Sequence, residues 1–258
     1  MTKSFFRIGG LLCLLLFLSS CDKMAKSPTD KEKTKMSKIY RVHRLTGPMA
    51  IDANWDKPQW QKVEPLTIAL FVQQKPQYMP KTQAKLLYDN NCIYIIYRIE
   101  DTCVRAIETK CNGRVWDDSC VEFFLTPDKN LSKDYFNIEM NCIGTLTFRY
   151  QTAVHENIRL LEKSDCDKIV IATSLPKKVI DPEIAGPVTW TIECRLPLDI
   201  LEKYRTIARP AAGVKWRANF YKCGDATSNF HRISWSYIEE NEFCFHSPQF
   251  FGTLEFVD

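Results

Sequence analysis

The chain of 258 residues is 45% apolar and 26% charged, a globular balance with enough length to bury a sizeable core. Its formal charge of +4 is unevenly spread: Lys3 and Arg7 open the chain and residues 22–38 hold six lysines against three acids, so the remainder carries about −1. A near-neutral body excludes the broad basic surface on which nucleic-acid binding depends.

The first twenty residues, "MTKSFFRIGGLLCLLLFLSS", have a basic start followed by an apolar run from Ile8 to Leu18. That run has signal-peptide length and is too short to span a bilayer. It ends in Leu18-Ser19-Ser20-Cys21, which resembles a bacterial lipoprotein signal, with Cys21 as the lipidated residue. An ordinary secretory signal would leave the expectation of export unchanged. Residues 22–38, "DKMAKSPTDKEKTKMSK", contain no aromatic residue and cannot bury enough surface to offset chain ordering. The expected organisation is a signal peptide over 1–20, a lipidated cysteine and tether over 21–38 reaching roughly 20–25 Å, and one domain over 39–258.

Within that domain a helical piece is expected near 52–60. Strands of period two follow at 92–101, 120–127, 135–141, 144–150, 168–174 and 188–197, then a second helical piece near 197–204, and strands at 215–223 and 252–257. Many short alternating runs rich in β-branched and aromatic residues, with little helix, predict an all-β chain folded as a single antiparallel β-sandwich.

Alternation also assigns faces. In "VTWTIECRLP" Trp190, Ile192, Cys194 and Leu196 point inward and Thr191, Glu193 and Arg195 outward; in "KWRANFYKC" Trp216, Ala218 and Phe220 point inward and Arg217, Asn219 and Tyr221 outward. "YFNIEMN" buries Phe136, Ile138 and Met140 and presents Tyr135, Asn137, Glu139 and Asn141, while "CVEFFLTP" presents Glu122. Strands sharing one sheet would make this second face a field of amide, guanidinium and carboxylate groups, suited to binding hydroxyls. Trp55 and Trp60 are expected under the sandwich edge.

Eleven cysteines raise the question of cross-links. Setting aside Cys13 and Cys21 leaves an odd number, and Cys92, Cys120, Cys142 and Cys194 lie in or beside strand-like runs where a thiol acts as a small hydrophobe. Mostly free thiols are expected, with Cys103 and Cys111 the first pair to consider for a disulfide.

The runs "IDANWDKPQW" (51–60), "AKLLYDNNCIYIIYRIED" (84–101), "VWDDSCVEFFLTPD" (115–128), "YFNIEMNCIGTL" (135–146), "KWRANFYKC" (215–223) and "FHSPQFFGTLEF" (245–256) together resemble the family 9 carbohydrate-binding module and its bacterial lipoprotein relatives. The resemblance implies a DOMON-like sandwich that grips a glycan end between two tryptophans above polar side chains. It places Trp116 at the first clamp, Glu122 beneath it, Trp235 at the second clamp and Arg232 nearby as a polar contact; structural calcium belongs to the family, without ligands assignable here. A monomer that takes an oligosaccharide or polysaccharide end and meets the membrane of a bacterial envelope through its lipid is the implied protein.

A sugar ring has two apolar faces and a hydroxyl rim, so an indole over each face, covering roughly 60–80 Å², would contribute about 3–4 kcal/mol for two before immobilisation costs. Two other chemistries fit parts of the pattern. A glycosidase needs a carboxyl pair, for which Glu122 with Asp118 or Glu139 could serve, and Glu193 is a further acid to consider. A haem-binding DOMON domain would need axial ligands such as His231 or Met140.

Overall fold

The structure, a computed structural model, describes residues 38–130, 132–239 and 244–258. The expected signal peptide, Cys21 and the tether through residue 37 lie outside them. The strands are β1 (Ile39–Arg44), β2 (Leu66–Ile68), β3 (Leu70–Phe71), β4 (Lys81–Tyr88), β5 (Cys92–Ala106), β6 (Cys120–Thr126), β7 (Tyr135–Asn141), β8 (Leu146–Gln151), β9 (Arg159–Leu160), β10 (Val170–Thr173), β11 (Ile180–Pro197), β12 (Lys215–Cys223), β13 (Arg232–Ser234) and β14 (Gly252–Val257). Three helices, each of one turn or little more, are α1 (Pro58–Gln61), α2 (Lys163–Cys166) and α3 (Leu198–Glu202). Every alternating run in the sequence forms a strand. The longer strand that alternation does not reveal is β4, whose residues from Ala84 to Tyr88 are buried whichever way they point; a strand covered on both faces loses its period of two.

The strands form one curled sheet in the order β10-β11-β5-β4-β1-β14-β12-β6-β7-β8-β9. The sheet is mixed rather than wholly antiparallel, because β1 runs parallel to both of its neighbours, β14 and β4. β1 thereby joins two antiparallel halves whose inner faces meet. From one half come Ile95, Tyr97, Ile99, Trp190 and Ile192, and from the other Phe123, Phe136, Ile138, Phe148, Trp216 and Phe220, all in one apolar core. The inward assignments made from alternation hold, including Cys194, Leu196, Ala218 and Met140. Tyr97 crosses the core to donate from its hydroxyl to the Glu122 carbonyl at 2.9 Å.

Each outer face is covered over part of its area. On the β11–β5–β4 half, Glu193 is fully buried under the segment that contains α1. On the β12–β6–β7–β8 half, a second apolar cluster of Tyr221, Phe124, Tyr135, Ile238, Phe245 and Phe251 covers the face expected to be exposed. Its covering residues come from the chain after β13.

One disulfide is present, between Cys111 and Cys166, and not between Cys103 and Cys111. Cys103 sits on β5 and meets the Ser228 hydroxyl at 3.2 Å, whereas Cys111 lies in the following loop, which reaches α2. The other seven cysteines among the described residues are free.

Candidate functional site

The covered outer face of β6, β7, β8 and β12 encloses a cavity of about 240 Å³ lined by Trp116, Glu122, Glu139, Arg149, His155, Cys223, Asp225, Arg232, Phe245 and His246. Four of the residues singled out in the sequence therefore meet there: Trp116, Glu122, Glu139 and Arg232. Trp116 is half-buried in a one-turn 3-10 helix, Val115–Asp117, anchored by buried Val115. Its carbonyl accepts from the Asp225 main-chain N–H at 3.2 Å, and that of Asp117 accepts from Ala226 at 2.9 Å. The indole is thus fixed by backbone pairing between two loops, leaving its ring at the cavity rim. Guanidinium carbons of Arg114 and Arg149 lie 5.2 and 4.7 Å from the ring centroid, within range of cation–π attraction.

Glu122 and Glu139 are direct cross-strand partners on β6 and β7, each 3% exposed. Burial pushes the Glu122 carboxyl well above the usual range, and neighbouring Cys223 and Glu139 push it the same way. Burial likewise raises Glu139, to about 7, against the opposing pull of Arg149 and of a hydrogen bond from Asn137. Asn137 lies beneath the cavity wall and sets the position of Glu139: its Nδ2 donates to Glu139 Oε1 at 2.7 Å, and its Oδ1 accepts from Gln151 Nε2 at 2.9 Å. Glu139 Oε2 is buried and has no hydrogen-bond partner among the described residues. The far wall carries His246, whose Nδ1 lies 2.6 Å from the Tyr135 hydroxyl, with the His155 ring 4.7 Å from its own. Burial, then the neighbouring His155 and Arg149, lower His246 to about 3, which favours the neutral ring beside the Tyr135 hydroxyl. Arg232 is held by a two-point pair with Asp225 at 3.0 and 2.5 Å.

Three expected contacts fall elsewhere. Trp235 is 4% exposed and packs in the main core edge-on against Phe220, 5.4 Å between centroids. It follows β13 with the inward parity of Ile233. A Cβ on Gly252 would lie 2.4 Å from its ring, so glycine there makes room for the indole. Trp235 is therefore not at the cavity; the phenyl ring that lines it is Phe245, stacked on Tyr221 at 4.1 Å. Arg217 is turned to the strand edge, donating to Thr253 Oγ1 at 2.7 Å and to the Phe251 carbonyl. Asn219 is wholly buried, and its Oδ1 accepts from the main-chain N–H of Ser236 at 2.8 Å, pinning the covering segment rather than facing the cavity.

The other acids proposed for catalysis are also committed. Asp118 accepts from the N–H groups of Ile107 and Glu108 and from Asn141 Nδ2, each at 2.9 Å. Glu193 is occupied on the other half of the sheet. For haem, Met140 lies in the main core, and both ring nitrogens of His231 are engaged, with Lys222 and with the Asn229 carbonyl, each at 2.6 Å. Among the described residues, the one convergence of three His, Cys, Asp or Glu donor atoms is Cys120, Glu122 and Cys223. Two thiols and one carboxyl do not match the all-oxygen shell that calcium takes.

Arg149 was legible in the sequence, because Thr147, Arg149 and Gln151 alternate against Leu146, Phe148 and Tyr150. Phe245, His246, Asp225 and His155 lie in loops, where no period marks a face.

The sequence matches carbohydrate-binding family 9 over residues 52–256, and the chain belongs to that family. A proposed carbohydrate-binding protein from Bacteroides uniformis ATCC 8492 is 28% identical, superimposes with a TM-score of 0.76, and is matched over 86% of this chain and all of its own. A family 9 carbohydrate-binding module from Caldicellulosiruptor kristjanssonii has the same fold in its complex with cellotriose (18% identity, TM-score 0.57, 85% of this chain and 93% of that one). The complex with glucose gives 16% identity and a TM-score of 0.55 over 84% and 95%. No curated protein is significantly similar to the chain.

Proposed function

We propose that this chain is a non-catalytic carbohydrate-binding protein that receives one end of a glycan in the 240 Å³ cavity, as an accessory to polysaccharide breakdown. The observation that carries the reading is a half-buried indole at the rim of a cavity whose floor holds a buried, unpartnered carboxyl oxygen, Glu139 Oε2. An apolar platform beside acceptors awaiting hydroxyl donors is the chemistry that a sugar ring meets. The glucose and cellotriose held by structures of the same fold make those sugars the first ligands to test. Phe245 takes the place of the second platform, and Trp116, Glu122, Glu139, Arg149 and Arg232 supply the contacts. Catalysis by Glu122 and Glu139 is the weaker reading, because the family to which the chain belongs is one of carbohydrate binding. A lipid on Cys21 would hold the protein at the bacterial envelope, the residues from 22 to 38 serving as its tether.

Calorimetric titration with glucose, cellotriose and a wider glycan panel, beside a reducing-end assay, tests this. Binding in the range of roughly micromolar to millimolar is expected, with no new reducing ends. Absence of binding across the panel would refute the reading, and hydrolysis abolished by Glu122→Gln would make the protein an enzyme. For the anchor, Cys21→Ser should release the protein from the membrane fraction; retention after correct signal cleavage would overturn it.

A further inference from the structure

Three donor atoms of mixed chemistry converge at the cavity floor, Glu122 and Cys223 on residues that line it and Cys120 on the strand residue paired with Cys223. Cys120 and Cys223 face each other directly in the β6–β12 pairing, and Glu122, two residues along β6, projects from the same face. One Sγ from each cysteine and one carboxylate oxygen all lie within 4.8 Å of one another, and the three side chains are 0%, 1% and 3% exposed. What holds them is weak. Cys223 Sγ lies 3.0 Å from Glu122 Oε1, and Cys120 Sγ meets the Val121 carbonyl at 3.6 Å. Among the described residues, no lysine, arginine or main-chain N–H donates to the Glu122 carboxyl. A buried acid hydrogen-bonded by a thiol, with no cationic or main-chain donor among the described residues, lacks the compensation that buried carboxyls normally have.

We infer that Cys120, Cys223 and Glu122 form a site for a thiophilic divalent cation of the Zn²⁺ class, set in the cavity floor with a fourth coordination position open to the cavity. Sulfur donors select against calcium and magnesium, and two thiolates with a carboxylate suit a tetrahedral ion. With metal–sulfur bonds of about 2.3 Å, a tetrahedral site needs sulfurs a little under 4 Å apart. Side-chain rotation brings them there, because the strand pairing has already placed the two backbones. Charge also balances: three anionic ligands leave one negative charge on a divalent complex, and Arg149 and Arg232 line the same cavity. Glu139 Oε2, buried and without a partner, lines it too and offers an acceptor to a water or hydroxyl in the fourth position.

The site is tested on the reduced full-length chain under anaerobic conditions by titration with Co²⁺, followed by Zn²⁺. One equivalent of Co²⁺ should give the intense visible bands of a tetrahedral ion and a sulfur-to-cobalt charge-transfer band, and Zn²⁺ should bleach both. Cys120→Ser and Cys223→Ser should each diminish the charge-transfer band, whereas Cys92→Ser and Cys244→Ser should leave it unchanged. Should a cysteine variant fail to fold, Glu122→Gln keeps the size of the side chain. It should weaken Co²⁺ binding about tenfold or more while retaining the sulfur band. A Co²⁺ spectrum without tetrahedral character, or one that survives both cysteine variants or is unmoved by Glu122→Gln, would overturn the inference. So would a Cys120–Cys223 disulfide in protein kept saturated with Zn²⁺. No glycan enters the readout, so failure of sugar binding leaves this result standing, and loss of the metal leaves the sugar-binding reading to its own test.

Discussion

Two buried glutamates on the outer faces of the two half-sheets show how one local pattern serves opposite ends. Glu193 on β11 and Glu122 on β6 both occupy outward positions in alternating strands, and both are covered. Glu193 is surrounded by donors: the main-chain N–H groups of Asp52 and Ala53 and Lys57 Nζ, each at 2.9 Å to Oε2, and the Trp60 indole N–H at 2.8 Å to Oε1. The segment around α1 is folded around it, with Thr191 also bonded to the Ala53 carbonyl at 2.6 Å. Glu122 has a cavity above it and a thiol beside it. A covered acid whose acceptors are all engaged pins a segment; one left without cationic or main-chain donors leaves chemistry for a ligand.

The largest effect should come from breaking the satisfied site. Glu193→Ala takes the acceptor from the main-chain N–H groups of Asp52 and Ala53 and from the Trp60 indole, leaving Lys57 with Asp52, and since each unsatisfied buried donor costs about 1–3 kcal/mol the loss should be at least about 3 kcal/mol. Glu122→Gln, which strands no cation, should change unfolding free energy by less than about 1 kcal/mol. Urea unfolding of the two variants compares them directly, and equal losses would erase the distinction between the faces.

Next come the two tryptophans that the sequence paired. Trp235→Ala should open a core cavity and cost about 3–5 kcal/mol, while Trp116→Ala, at a half-buried rim, should cost less than about 2 kcal/mol and instead weaken glycan binding by about 1–2 kcal/mol. A Trp235→Ala variant that remains stable but no longer binds sugar would restore the original pairing.

How much was readable follows from these residues. Alternation gave the right parity for Trp190, Trp216, Glu122, Glu139 and Asn219, because strand geometry forces side chains to opposite faces. It could not say that the outer face would be roofed, since the roof is loop: Phe245 and His246 carry no period, and Asp225 is placed by its backbone bond to Trp116. Nor could it separate Trp235 from a rim residue, because β13 is only three residues long and offers too few positions to define a face. The disulfide partner of Cys111 was hidden for a similar reason, Cys166 lying 55 residues away in a short helix.

Acid should act on both regions through histidines that folding keeps neutral. His231 between the half-sheets and His246 at the cavity wall are each lowered to about 3, chiefly by burial. Between the unfolded value near 6.5 and that folded value, the unfolded chain binds more protons, so stability is full above about pH 6.5 and falls as pH drops toward 3. The loss should reach a few kcal/mol. His246→Gln should flatten part of that slope in thermal melts taken across the range; an unchanged slope would show that His246 is already charged in the folded protein.

The smallest effects separate residues that touch a ligand from those that prop one up. Asn137 does not line the cavity, yet its amide is the hydrogen-bond donor to Glu139 Oε1. Asn137→Ala should let that carboxyl shift and weaken glycan binding by about 0.5–1.5 kcal/mol, the net worth of one such bond. Arg217, expected from alternation to belong to the same polar face, is directed to Thr253 and the Phe251 carbonyl at the strand edge. Arg217→Ala should therefore leave affinity within about 0.3 kcal/mol of the parent while lowering stability modestly. Calorimetric titration of both variants with the best ligand of the panel decides between them. A loss at Arg217 as large as that at Asn137 would mean that the ligand extends past the cavity along β12, toward the edge shared with β14.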